Sequence, residues 1–158
     1  MDSRHFRNAL GRFTTGVTII TCLDATGEPV GLTANSFNAL SLDPPLVLWS
    51  LRVVSPSMGA FEAAPRFAIN VLAESQLEMS RRFATRSENR FADLPWATGE
   101  QGSPVLAGCA AVFECETLSH QVAGDHRLFI GRVLACSESP LPPLLFQAGH
   151  YRLLGEVL

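Results

Sequence analysis

The sequence predicts a mainly β protein: a small, largely antiparallel barrel carrying a few short helices. Three observations predict it. First, about seven segments are rich in β-branched and aromatic residues, among them GVTIITCL (16–23), LVLWSLR (46–52) and RLFIGRVLAC (127–136). Second, no regular strand–helix–strand alternation separates them, which argues against a doubly wound parallel sheet. Third, the chain has 158 residues, 47% of them hydrophobic, enough for one domain (1–158) with a sizeable core. Closing an antiparallel sheet on itself removes the edges that such a chain would otherwise expose.

Along the chain, residues 3–13 place Phe6, Leu10 and Phe13 on one helical face, with Asp2 or Ser3 as cap. GVTIITCL (16–23) extends, DATGEP (24–29) turns and VGLTANS (30–36) returns, so the two form a hairpin. LVLWSLR (46–52) is entered from Pro44-Pro45, and proline is tolerated at a strand's first residue. SPSMGAFEA (55–63) reads as a helix with Ser55 as N-cap and Pro56 at the first helical position. RFAINVLA (66–73) is a strand, and ESQLEMSRRFATR (74–86) a helix with Leu77, Ser80, Phe83 and Ala84 facing inward. Residues 87–104 read as a polar loop long enough to serve a function. In CAAVFECETL (109–118) Ala111, Phe113 and Cys115 share one face and Glu114 the other. RLFIGRVLAC (127–136) is its partner, across a link, SHQVAGDH (119–126), with a Gly-Asp turn signal. YRLLGEVL, from 151, is a last strand.

Composition excludes several classes. Net charge is −3, so no polyanion partner such as nucleic acid is indicated. All twelve basic residues are arginine, so lysine Schiff-base chemistry is excluded and any cation that holds an anion is a guanidinium. Cysteines 22, 109, 115 and 136 form no CxxC pair, so no structural zinc site is expected. The N-terminus, MDSRHFRNALGRF, is charged and amphipathic, unlike a signal peptide, and no apolar run reaches membrane-spanning length. A cytoplasmic protein with reduced thiols and no membrane partner is expected.

Three groups of residues could carry chemistry. Thr33-Ala34-Asn35-Ser36 follows a core strand. The pattern by itself favours a strand end with turn residues; the functional reading is a platform for a flat, polar-edged ligand, where Ala34 lets a ring approach the backbone and the others add hydrogen-bonding groups. Ser50, Ser55 and Ser57, with the Arg81-Arg82 pair, are candidates for a phosphate site, because a helix N-terminus and guanidinium groups both favour anions. Neither GxGxxG nor GxxxxGK[ST] occurs. Gly124-Asp125-His126 is a hairpin turn followed by a histidine; His120 and His126 do not fit a zinc spacing.

Taken in order, GVTIITCLDATGEPVGLTANSFNALSLDPPLVLWSL, FAINVLAESQLEMSRRFA and AGDHRLFIGRV resemble the short-chain flavin reductases, from about residue 6 to 155. The resemblance implies an FMN-binding split barrel of Greek-key type, acting as a homodimer. It implies FMN or FAD as cofactor, NADH or NADPH as hydride donor, and a separate flavin-dependent monooxygenase as consumer of the reduced flavin. Thr33, Ala34, Asn35 and Ser36 would lie along the isoalloxazine. Ser50, Ser55, Ser57, Arg81 and Arg82 would serve the ribityl chain and phosphate. His126 would sit by the nicotinamide nucleotide as the candidate catalytic residue, and Tyr151 near the flavin or the nicotinamide. The sequence does not separate NADH from NADPH; Arg127, next to His126 in the chain, is a candidate for a 2′-phosphate on its position alone. The alternatives are a flavin-binding electron carrier and a non-enzymatic flavin or haem sensor, with His5, His120, His126 and His150 as possible axial ligands. The metal expectation is none.

Overall fold

A computed structural model of the chain describes residues 2–87 and 89–158; Met1, and Glu88 within the 87–104 segment, lie outside the described residues. Helix α1 (Ser3–Leu10) is capped by Asp2, whose carboxylate accepts from the Arg4 and His5 amides, each at 3.2 Å. After β1 (Thr15–Gly16) come β2 (Thr18–Leu23) and β3 (Pro29–Ala34), an antiparallel hairpin. Asp24 Oδ1 organises its turn, accepting from Thr26 N, Thr26 Oγ1 and Glu28 N at 2.8, 2.7 and 3.0 Å. Then follow β4 (Asn38–Leu42), β5 (Pro45–Arg52), α2 (Met58–Ala63) and β6 (Arg66–Val71). A 3₁₀ turn, Glu74–Gln76, leads into α3 (Leu77–Ala84). The chain ends with β7 (Trp96–Thr98), β8 (Pro104–Leu106), β9 (Ala111–Ala123), β10 (His126–Glu138), β11 (Leu145–Gln147) and β12 (His150–Arg152).

Seven strands form one sheet in the order β3-β2-β6-β9-β10-β5-β4, each neighbouring pair antiparallel. Its two edge strands, β3 and β4, are consecutive in the chain and joined only by residues 35–37. Three residues span at most about 10 Å. The sheet therefore curls until its edges face each other, and the barrel is split along that seam. Strands β1, β11 and β12 make a small sheet outside it, and β7 pairs with β8.

Alternation along the strands divides the apolar residues between two cores. Inside the barrel, Trp49 stacks on Phe129 (centroids 4.6 Å, planes 11° apart) and meets the edge of Phe61 at 4.9 Å. Cys115, Ile20, Phe67 and Ile69 complete this core. Outside it, Val17, Ile19, Leu72, Phe83, Leu106 and Leu144 pack beneath α3 and the β7–β8 hairpin. Residues 87–104 are thus not wholly loop. Glu114, expected on a polar face, is buried and its carboxylate accepts from Glu100 N and Gln101 N at 3.0 and 2.7 Å. The 119–126 link is likewise strand: β9 and β10 extend the pairing to Ala123 and His126, leaving Gly124 (φ +64) and Asp125 as a two-residue turn.

Burial drives the pKa of the Cys22 and Cys115 thiols up to about 12 and that of Cys109 to about 11. Cys136 is exposed. Because the thiolate is the nucleophile, a chromogenic disulfide reagent at pH 8 should titrate one thiol in the native protein and four in denaturant. Rapid reaction of more than one native thiol would show that the barrel opens readily.

Candidate functional site

The site forms where the barrel is split. Strand β3 leaves its partner after Ala34, which lies opposite Thr18; Thr18 Oγ1 donates to the Ala34 carbonyl at 2.7 Å. The chain rejoins the sheet only at Asn38, opposite Leu48. Between them Ser36 ties the seam: its Oγ donates to the Ser50 carbonyl (2.8 Å) and accepts from the Ser50 amide (3.0 Å). Asn35 is exposed and has no hydrogen-bond partner among the described residues.

A cleft of about 510 Å³ opens over this gap. Thr33, Ala34, Asn35, Ser36, Ser50, Ser55, Ser57, His126 and Tyr151 all line it. Val17, Leu32, Phe83 and Phe146 give it an apolar wall. Its volume lies within the ordinary range for small-molecule sites.

Not every polar group there is available to a ligand. The Thr33 hydroxyl donates to the Ser80 carbonyl at 2.7 Å, and Ser36 is committed to Ser50. These hydroxyls build the platform, while Asn35 presents it. The Ser80 and Tyr151 hydroxyls share a hydrogen bond of 2.8 Å, fastening β12 to α3 and β3 beside the cleft. Helix α2 begins at Met58, two residues later than expected, with Ser57 as its N-cap. Ser55 Oγ accepts from the Ser57 amide at 3.3 Å instead of capping a helix. A six-residue helix carries little dipole, so anion binding here falls to side chains.

Arg81 and Arg82 do not line the cleft. Arg81 pairs with Glu78 one turn earlier and lies over the Tyr151 ring, 5.9 Å from its centroid. Arg82 donates to the Asn89 and Ala92 carbonyls and so holds the segment after α3. The cations at the cleft are Arg52, Arg86 and Arg90. Arg90 is spent on structure, donating to the Gly31 carbonyl (2.7 Å) and, through Nε and Nη2, to the Thr85 carbonyl. Arg86 is exposed beside Ser57 and makes no hydrogen bond or ion pair among the described residues. The sequence signal for it was faint: an arginine at the last position of the helix expected over 74–86. Arg52 lies directly opposite His126 on the neighbouring strand, a pairing only the register reveals.

His126 Nδ1 and Asp125 Oδ1 are 2.7 Å apart. The hydrogen bond from His126 holds the exposed Asp125 carboxyl below its ordinary pKa. A carboxylate at Nδ1 fixes the proton there and leaves Nε2 as the other ring nitrogen free to act. Arg127 points elsewhere. It pairs with Glu62 at 2.7 Å and contacts His120 Nδ1 at 2.9 Å, so it is not placed for a 2′-phosphate. No cluster of three or more metal-ligating side chains occurs among the described residues.

An antiparallel barrel split at one seam, with a flat-ligand cleft over the gap and guanidinium groups at its margin, defines a nucleotide-cofactor-binding split barrel. The chain belongs to the family of flavin reductase like domains, whose model matches residues 10–155. It is 47% identical over 150 residues to the FMN reductase (NADH) SmoA of Agrobacterium fabrum, covering 95% of this chain and 85% of that one. Among solved structures, nitrilotriacetate monooxygenase component B of Mycobacterium thermoresistibile superposes with a TM-score of 0.93 at 44% identity, covering 98% of this chain and 87% of that one. The NADH:FAD oxidoreductase SgcE6 of Streptomyces globisporus, in complex with NAD and FAD fragments, gives 0.92 at 36% identity, with coverages of 98% and 93%. A further relative, from Rhizobium meliloti, is longer: at 46% identity the chain spans 51% of its length.

Proposed function

We propose that residues 1–158 act as one NAD(P)H:flavin oxidoreductase unit that reduces FMN or FAD and releases it to a separate flavin-dependent monooxygenase, in the cytoplasm. The observation that carries this reading is the seam cleft, with its apolar wall, its exposed Asn35 and the Ser57–Arg86 margin. The donor set fits a flavin. The apolar wall accepts the ring, Asn35 meets its polar edge, and the Ser57 hydroxyl and Arg86 guanidinium suit a phosphate. The flavin, when bound, supplies the electron acceptor, its N5 taking a hydride from nicotinamide C4. Asn35, held at the gap by the Ser36–Ser50 tie, places donors where negative charge grows without rearranging. Arg52 and His126, opposite each other, position the nicotinamide nucleotide, with Asp125 fixing the imidazole.

His126→Ala tests the arrangement. The KM for NADH should rise about tenfold while the Kd for flavin stays within about twofold, as expected for loss of one hydrogen bond to the nucleotide. Absence of flavin-dependent oxidation of both NADH and NADPH by the wild-type protein would sink the reading altogether.

The surface supports a homodimer. Leu46 and Leu48 on β5 and Leu128 and Ile130 on β10 alternate with the buried Val47, Trp49 and Phe129 and so face outward. Exposed Leu40, Leu42 and Leu134 lie on the same or adjoining strands. Helix α1 buries none of its residues, and Phe6, Leu10 and Phe13 are exposed. A second copy of the chain would cover both surfaces. Light scattering should give a dimer mass, and removal of residues 1–13 should weaken it; an undiminished dimer after truncation would remove α1 from the interface.

A further inference from the structure

Beside the seam cleft lies a second one of about 760 Å³, and the two share Val54, Pro56, Ser57, Arg86 and Arg90. They are one trough with a cationic waist. Resting on the flavin reading above, we propose that the second cleft is an adenylate subsite that takes the AMP half of FAD, so that this chain prefers FAD to FMN.

The waist sets the direction. With the ring over Asn35 and the phosphate at Ser57 and Arg86, anything attached beyond that phosphate enters the second cleft. The far cleft has the chemistry of an adenosine pocket. Asp24 stands in it with Oδ1 occupied by three protein donors. Its Oδ2 accepts no hydrogen bond among the described residues, and hydrogen bonds from Thr26 and Glu28 keep the carboxyl below its ordinary pKa, hence ionised. An ionised carboxylate is an acceptor suited to ribose hydroxyls.

Phe91 supplies an aromatic surface whose orientation is fixed by edge contacts to Phe83 (5.0 Å) and Trp96 (5.9 Å). Gly31 lies against Phe83 and Phe91, where a Cβ would come within 2.8 Å of the Phe83 ring and 3.0 Å of Phe91. A bare backbone is therefore required at that wall. Arg90, by bonding the Gly31 carbonyl, braces it and leaves Arg86 as the cation for the diphosphate.

The test is calorimetric titration of the ligand-free protein with FMN, FAD and NADH. Wild-type protein should bind FAD at least about tenfold more tightly than FMN, the worth of one or two added polar contacts. Two substitutions, Ala60→Tyr and Ser87→Trp, alter residues that line the second cleft and not the seam cleft, and Ser87, being exposed, is free of the barrel core against which Ala60 packs. Each should bring the FAD affinity down to that of FMN and leave FMN within about twofold. Equal wild-type affinities for the two flavins would overturn the proposal. So would variants that weaken NADH and spare FAD, since the adenylate would then belong to the nicotinamide nucleotide. Failure of the wild-type protein to bind either flavin would instead overturn the reading on which it rests.

Discussion

Asn70→Leu should destabilise the fold by about 3 kcal/mol or more, measured as a fall in the urea midpoint. Asn70 is fully buried on β6. Its amide donates to the Ile19 carbonyl at 3.0 Å and to Thr21 Oγ1 at 3.1 Å, and its Oδ1 accepts from the Leu106 amide at 2.9 Å. Thr21 Oγ1 passes the connection to the Pro104 carbonyl. Leucine fills nearly the same space but satisfies none of these groups, and each buried orphan costs about 1–3 kcal/mol. Because β8 hangs on this bond, tryptophan fluorescence from Trp96 on the paired β7 should report loosening of the outer layer before the barrel unfolds. A loss below about 1 kcal/mol would mean that the network is not formed as described.

Arg86→Ala should raise the Kd for FMN by about tenfold to a hundredfold, the worth of a charge-assisted hydrogen bond to phosphate. Riboflavin, which lacks the phosphate, should bind both proteins alike. Arg81→Ala should leave FMN affinity within about twofold, because its guanidinium pairs with Glu78 at the exposed surface, where such pairs contribute little. The comparison decides between two cations five residues apart. A large loss for Arg81→Ala with none for Arg86→Ala would move the phosphate site back to the helix. Arg82 is unsuitable as a control, since it holds the backbone of the segment after α3.

Much of the scaffold was legible. The hairpin of β2 and β3, the strand entered from the prolines and the α1 cap each depend on residues adjacent in sequence, where propensity and period are strong. Motif order also grouped Thr33, Ala34, Asn35 and Ser36 with His126, and these residues line one cleft. Glu114 was misplaced on a polar face because its partners, the Glu100 and Gln101 amides, come from a distant turn. The helix start at Ser55 failed for a different reason: Ser-Pro-Ser also suits a turn, and the helix that follows has only six residues to outweigh it.

Alone, the sequence determined the main strands, the hairpin of β2 and β3 and the capped first helix, because these follow from short-range preferences and alternation. Tertiary structure alone decided where the barrel splits, that the Thr33 and Ser36 hydroxyls are used up in holding the gap, and that Arg86 rather than Arg81 or Arg82 lies at its margin. Hydrogen-bond partners across a seam, and the direction of a long cationic side chain, depend on which strands meet, and that is settled only when the sheet curls shut.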